Sequence, residues 1–184
     1  MSRSRLILVV ALVVVGGAIA AYYLRSGREH VSIDLIRDFP TATEKKPNPE
    51  AFSIVDAKIG GVTKKGIFTK DLAGTRVIWE ETIPDNAWLK VDLGIMEEGW
   101  TLAGDGVVFN VGISVGATYD ALLSLPVNPY GNPADRRWNP LEFDLSAYAG
   151  QTVHIVFKTN SSGPGKDDRN GDLAVWGEPR IVIH

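Results

Sequence analysis

The best-known catalytic motif in the sequence is a G-x-S-x-G pentapeptide, Gly112 to Gly116, with Ser114 at its centre. In hydrolases this motif marks a nucleophilic serine that a histidine activates, and His154 and His184 are available for that role. The motif requires a sharp turn from a strand into a helix, whereas Ser114 lies inside a run of β-forming residues. The context therefore predicts that the chain is not an enzyme. An esterase that uses Ser114 is the alternative interpretation of this motif.

An acidic loop near the C-terminus has the spacing of a cation site. Asp168, Asn170 and Asp172 alternate along the chain, and carboxylate and amide oxygens are the ligands that calcium prefers. A glycine follows Asn170, which is not where an EF-hand loop needs one. A bound calcium and a solvated turn are therefore the two interpretations of this loop. The chain contains no cysteine, so thiolate metal sites are excluded, and no other cofactor is predicted.

A proline-rich stretch between two β-type runs holds the side chains best suited to recognise a partner. These side chains are Tyr130, Arg136, Arg137 and Trp138. Aromatic faces stack on sugar rings or pack against proteins, and we predict a partner-binding or glycan-binding patch here. The alternative is a structural role, in which an arginine pairs with Asp135 or Asp105.

Four sequence stretches carry a family resemblance. They are Val127 to Trp138, the D-L-S-x-Y-A-G-Q motif from Asp144 to Gln151, the pattern that runs from Ala87-Trp88-Leu89 through Trp100 to Gly104-Asp105-Gly106, and W-G-E-P-R-I from Trp176 to Ile181. Together they resemble the galactose-binding-like jelly-roll superfamily, in extracytoplasmic modules of bacteria. The resemblance covers roughly residues 52–183 and implies a jelly-roll sandwich, with a binding or adhesion role and no catalysis.

The hydrophobic periodicity predicts the same all-β class. Runs of β-forming residues separated by turn residues indicate a sandwich of about eight to nine strands. The runs are Phe52–Ile59, Val62–Thr69, Thr75–Ile83, Ala87–Ile95, Gly106–Val115, Tyr119–Val127, Leu141–Leu145, Thr152–Thr159 and Ala174–Ile183. Val77 and Trp79 alternate with Ile78 and Glu80. In the run Thr152–Thr159, three apolar residues likewise alternate with His154, Val156 and Lys158, so one face of each sheet is predicted to be core. Gly60-Gly61 predicts a tight hairpin turn.

An apolar segment, Leu6 to Leu24, precedes the sandwich. Its 19 residues without a charge reach about 28 Å as a helix, which is enough to cross a bilayer. We predict an uncleaved signal anchor in a bacterial inner membrane, with the C-terminal domain in the periplasm or at the cell surface; a cleaved signal peptide is the alternative. Gly16, Gly17, Ala20 and Ala21 form small-residue pairs that allow another membrane helix to pack closely.

These features predict four regions. Residues 1–5 are a cytoplasmic tail, 6–24 the transmembrane helix, 25–50 a short strand and a proline-rich tether, and 51–184 the extracytoplasmic β-sandwich.

The charge distribution restricts the partners. The whole chain has a net charge of −3, and since its first 29 residues hold four arginines and one glutamate, the remainder has a net charge of −6. This excludes nucleic acid as a predicted partner. The leading hypothesis is a non-catalytic accessory subunit of a multisubunit membrane complex, whose partners are the lipid bilayer and other membrane subunits. The alternative is a membrane-anchored carbohydrate-binding module that recognises cell-wall or exopolysaccharide sugars.

Overall fold

The computed structural model describes residues 29–70, 74–161 and 168–184. They form a sandwich of two antiparallel sheets with eleven strands. The strands are β1 His30–Asp34, β2 Glu44–Lys46, β3 Phe52–Ile59, β4 Val62–Thr69, β5 Thr75–Thr82, β6 Ala87–Ile95, β7 Val107–Val115, β8 Thr118–Val127, β9 Asn139–Asp144, β10 Thr152–Ser161 and β11 Ala174–Ile183. Single-turn 3-10 helices lie between them at Phe39–Thr41, Pro49–Ala51, Glu97–Gly99, Pro133–Asp135 and Ser146–Tyr148.

The first sheet has six strands in the order β3-β4-β11-β6-β9, with β1 also paired to β11. The second sheet has five strands in the order β2-β5-β10-β7-β8. Along one edge of β11, β4 pairs up to Gly177 and β1 pairs from Arg180 onward. The pairing of β11 with β6 has a register shift between the same two residues.

Aromatic side chains join the two sheets at the centre of the core. The Trp176 ring of β11 stacks on Phe157 of β10 with 4.5 Å between ring centroids, and it meets Phe109 of β7 edge-on at 5.0 Å. Trp79 of β5 packs edge-on against Phe157. All four side chains are buried, which fits the predicted alternation of inward apolar and outward polar residues.

The predicted all-β sandwich is confirmed, and the predicted runs fall on nine of the strands. The bounds of β3, β4, β6 and β11 agree with the prediction at both ends. Gly60 and Gly61 both have positive φ angles, 60° and 79°, as the tight turn between β3 and β4 requires.

The predicted strand number of eight to nine is too low, and the predicted tether belongs to the sandwich. β1 adds to the six-stranded sheet, β2 adds to the edge of the five-stranded sheet, and Leu35 between them is fully buried. β2 has the sequence Glu44-Lys45-Lys46, which has no apolar alternation. The strand can form without it because backbone hydrogen bonds join β2 to β5. A pattern of apolar side chains therefore did not reveal it.

The predicted transmembrane helix at 6–24, with Gly16, Gly17, Ala20 and Ala21, lies outside the described residues. In the part of the chain that the structure describes, no helix has the length and apolar character that crossing a membrane requires.

Candidate functional site

The five-stranded sheet has one side in the core and one side in solvent. We call the second side the solvent face. In β5, Val77 and Trp79 are buried and Glu80 is exposed; in β10, Phe157 is buried and Lys158 is exposed. The sheet therefore presents a polar face about as wide as five strands, and no described strand covers it.

Four side chains form a row across the solvent face. His154 of β10 is the cross-strand partner of Glu80 on β5 and of Ser114 on β7, and Ser114 is the partner of Tyr119 on β8. Directly paired residues project on the same side of a sheet, so all four project into solvent. His154 Nε2 lies 3.3 Å from Glu80 Oε2, and these side chains are 41% and 57% exposed.

Tyr119 is the aromatic ring on this face, and it is 53% exposed. Its phenol end lies over Gly112, because a Cβ placed on Gly112 would come closer than 3.0 Å to Tyr119 Oη, Cζ and Cε2. Gly112 is consequently buried although it lies on the solvent face. A larger side chain at position 112 would move the ring, so this glycine allows the ring to lie against the sheet.

The surface next to the ring is apolar. Gly112 pairs with Val156 of β10, and Val156 pairs with Ile78 of β5, so these residues form a second row beside the first. Val156 is 8% exposed. The solvent face thus combines a half-exposed aromatic ring, a strip of buried and half-buried apolar residues and a polar row.

The row does not form a catalytic triad. Ser114 lies within β7, which continues into a turn at Gly116 and then into β8, without the helix that a nucleophile elbow requires. Among the described residues, no hydrogen bond joins the Ser114 hydroxyl to His154. A serine in an extended strand without a base on its hydroxyl is not activated as a nucleophile.

The predicted recognition loop, residues 128–138, packs on the outer side of the six-stranded sheet. Trp138 is only 8% exposed, and it forms a second hydrophobic cluster with Ala57, Ile59 and Val175. Its indole Nε1 donates a hydrogen bond of 2.9 Å to the Val62 carbonyl. The expectation that Trp138 offers an exposed stacking face is therefore wrong, because its ring packs on apolar side chains of the six-stranded sheet.

Some of the other side chains of this loop form hydrogen bonds within the loop, and others are exposed to solvent. The Asp135 carboxylate accepts hydrogen bonds from the Asn128 backbone N–H and the Asn132 amide, at 2.8 and 3.1 Å. Arg136 Nε donates to the Pro129 carbonyl at 2.9 Å. Arg137 is exposed, and Tyr130 is 50% exposed. A binding role for Tyr130, Arg136 and Arg137 stays a prediction.

The predicted calcium ligands have different surroundings. Asp172 is buried, whereas Asn170 is exposed and its amide Nδ2 donates to the Ala103 carbonyl at 2.5 Å. Asp168 Oδ1 accepts the Asn170 backbone N–H at 3.0 Å. Among the described residues, no group of three or more His, Cys, Asp or Glu side chains is placed to hold a metal ion. Calcium binding at this loop stays a prediction.

Sequence reasoning missed the solvent face as a site. The alternation in β5 and β10 already indicated which residues project outward, but the order of strands in the sheet was not available from it. The one usable signal was Gly112 within a strand, because a strand glycine often marks the close approach of another group.

Comparison with known proteins agrees with this architecture. Over 85% of its length, the chain is similar to a structure of the M60 catalytic domain with the CBM51-1 and CBM51-2 domains from Clostridium perfringens ZmpB. The TM-score is 0.55, the sequence identity is 10%, and the match covers 15% of that structure's chain. The chain has the galactose-binding-like jelly-roll fold. Structures of TmCBM61 with β-1,4-galactotriose and of CBM6cm-2 from Cellvibrio mixtus lichenase 5A with cellotriose match at TM-scores of 0.48 and 0.43, with 11% and 10% identity. The chain matches over 85% and 84% of its own length and 89% and 98% of theirs.

Sequence comparison finds similarity over part of the chain. No family model matches the chain. An uncharacterised protein of Archaeoglobus fulgidus is 43% identical over 100 residues, which is 54% of this chain and 25% of that protein. The match thus spans about a quarter of the relative's length.

Proposed function

We propose that the jelly roll is a non-catalytic carbohydrate-binding module and that it binds sugar on the solvent face of its five-stranded sheet. The observation that carries the proposal is the exposed Tyr119 ring held over Gly112, beside the row of Glu80, His154 and Ser114. A sugar ring has apolar C–H faces and hydroxyl edges. The aromatic ring suits the face, and the carboxylate, imidazole and hydroxyl suit the edge.

A carbohydrate-binding module has more support than the hypothesis that the chain is a subunit of a membrane complex. The membrane-complex hypothesis depended on the segment 6–24, which lies outside the described residues, and on the proline-rich tether, part of which pairs in the sandwich as β2. The match to the structure that contains the CBM51-1 and CBM51-2 domains supports the fold of the module. We further propose that the apolar segment holds the module at an extracytoplasmic surface.

Replacing Tyr119 tests the site. For Tyr119→Ala in the full-length protein in neutral detergent, we expect a loss of affinity of about fivefold or more, because a stacking partner contributes about 1 kcal/mol or more. Isothermal titration with β-1,4-galactotriose, cellotriose and an array of microbial and plant glycans gives the affinities. Tyr130→Ala is the matched control, since Tyr130 is an equally exposed tyrosine on the predicted loop.

The outcomes separate the two sites and the function itself. Loss of affinity in Tyr130→Ala with none in Tyr119→Ala would place binding at the loop and contradict the solvent face. A folded wild-type protein that binds no glycan of the array would contradict the function.

A second variant changes the position of the ring without removing it. Gly112→Val puts a side chain where the Tyr119 phenol lies, so we expect a loss of glycan affinity similar to that of Tyr119→Ala. Valine is well suited to a strand, and the free energy of unfolding should fall by less than about 1 kcal/mol. Titration and urea denaturation of the same sample measure both effects. Unchanged affinity in Gly112→Val would show that the ring position does not matter.

A further inference from the structure

A row of cationic side chains crosses the solvent face next to the apolar strip. Lys46 of β2 pairs with Arg76 of β5, Arg76 with Lys158 of β10, and Lys158 with Asn110 of β7. Residues in such register project on the same side, so three cations and an amide lie in line. This concentration of positive charge is unexpected in a chain whose net charge is −3.

One carboxylate on the same face neutralises two of these cations. Glu44 contacts Arg76 Nε at 2.5 Å and Lys46 Nζ at 3.1 Å. Although partial burial acts to raise it, the pKa of Glu44 is lowered because both cations hydrogen-bond to the carboxylate. Glu44 therefore stays charged at neutral pH and remains committed to these two partners.

Lys158 is left as the available cation. It is exposed, and it makes no ion pair with any residue that the structure describes. Glu80, another acidic side chain of this face, lies in the next polar row and faces His154. A negatively charged ligand group would therefore meet Lys158 first.

Lys158 is also close to the aromatic ring. Val156, two residues before Lys158, is the direct partner of Gly112, over which the Tyr119 ring lies. The Cα atoms of Lys158 and Gly112 are therefore diagonal neighbours, roughly 7–8 Å apart. A sugar stacked on Tyr119 places its ring substituents within reach of the lysine ammonium group.

We propose that the glycan bound on this face is acidic, with a carboxylate or sulfate group that pairs with Lys158 while its ring stacks on Tyr119. This inference rests on the proposed carbohydrate-binding function and specifies its ligand class. Carboxylate and sulfate share the anionic oxygens that an ammonium group binds, and the experiment distinguishes them.

The test compares glycans that differ only in charge. Cellotriose and the β-1,4-linked glucuronate trimer have the same backbone, and a sulfated cellotriose is the third probe. With the full-length protein in neutral detergent at low salt, we expect one of the acidic trimers to bind at least about tenfold more tightly than cellotriose. The preference should weaken as salt rises, because the pairing is at the surface.

Variants of Lys158 assign that preference to one side chain. Lys158→Gln should remove most of the tenfold preference for the acidic trimer, and Lys158→Arg should retain it. Lys65→Gln is the matched control, because Lys65 is an exposed lysine on the other sheet. A preference that survives Lys158→Gln would overturn the inference.

The failure of this inference is distinguishable from the failure of the proposed function. Equal affinity for neutral and acidic trimers, abolished in both cases by Tyr119→Ala, would overturn the acidic ligand and leave the carbohydrate-binding module intact. Absence of binding to every glycan would overturn both.

Discussion

Trp138→Ala should lower the free energy of unfolding by about 3–5 kcal/mol, the usual cost of removing a large buried aromatic side chain. The ring fills a cluster with Ala57, Ile59 and Val175, and its indole N–H bonds to the Val62 carbonyl. The substitution therefore leaves a cavity between the 128–138 loop and the six-stranded sheet, and it loses a hydrogen bond. Urea denaturation followed by circular dichroism measures the change.

Tyr130→Ala is the control for this substitution, because Tyr130 belongs to the same loop and is 50% exposed. Its removal should change the free energy of unfolding by less than about 0.5 kcal/mol. If Trp138 were an exposed recognition residue, as its loop position suggested, Trp138→Ala would spare stability and reduce ligand affinity. That result would contradict the packing described above.

Leu35→Ala should cost about 2–5 kcal/mol of unfolding free energy, although residue 35 lies in the segment that the sequence predicted to be a short strand and tether. Leu35 is fully buried in the main core, and its backbone N–H bonds to the Pro179 carbonyl at 3.1 Å. Removing three side-chain carbons there leaves a cavity that the neighbouring strands cannot fill without moving. The same denaturation experiment measures the loss.

Val31→Ala is the matched control, since Val31 lies in β1, four residues away, and is 45% exposed. It should cost less than about 1 kcal/mol. A Leu35→Ala variant as stable as Val31→Ala would mean that β1 and the residues after it do not belong to the cooperative unit. The domain would then begin at residue 51, as the sequence predicted.

Local patterns in the sequence were sufficient for most of the strands. The bounds of β3, β4, β6 and β11 could be predicted because strand side chains alternate between core and solvent with a period of two residues. The turn at Gly60-Gly61 could be predicted because only glycine adopts two successive positive φ angles easily. By contrast, β2 consists of three charged residues that carry no such pattern, so only its pairing with β5 defines it.

The candidate site shows the same division. In the sequence, Ser114 and His154 match residue types of a catalytic triad, and Trp138 was predicted to be an exposed aromatic residue. Each interpretation depended on what surrounds the side chain, which is a property of the folded chain. The structure instead brings Ser114 and His154 into line with Glu80 and Tyr119, through pairings between four strands.

Residue type and spacing were enough to predict the β-sandwich class, the positions of most strands and the outward direction of Glu80, His154 and Lys158. The order of the strands within each sheet could be read only from the folded chain. That order places Tyr119 over Gly112, sets Lys158 beside Asn110 and Arg76, and covers Trp138 with apolar side chains. The physical reason is that cross-strand contacts join residues far apart in the chain, and no local pattern specifies which distant strand becomes the partner.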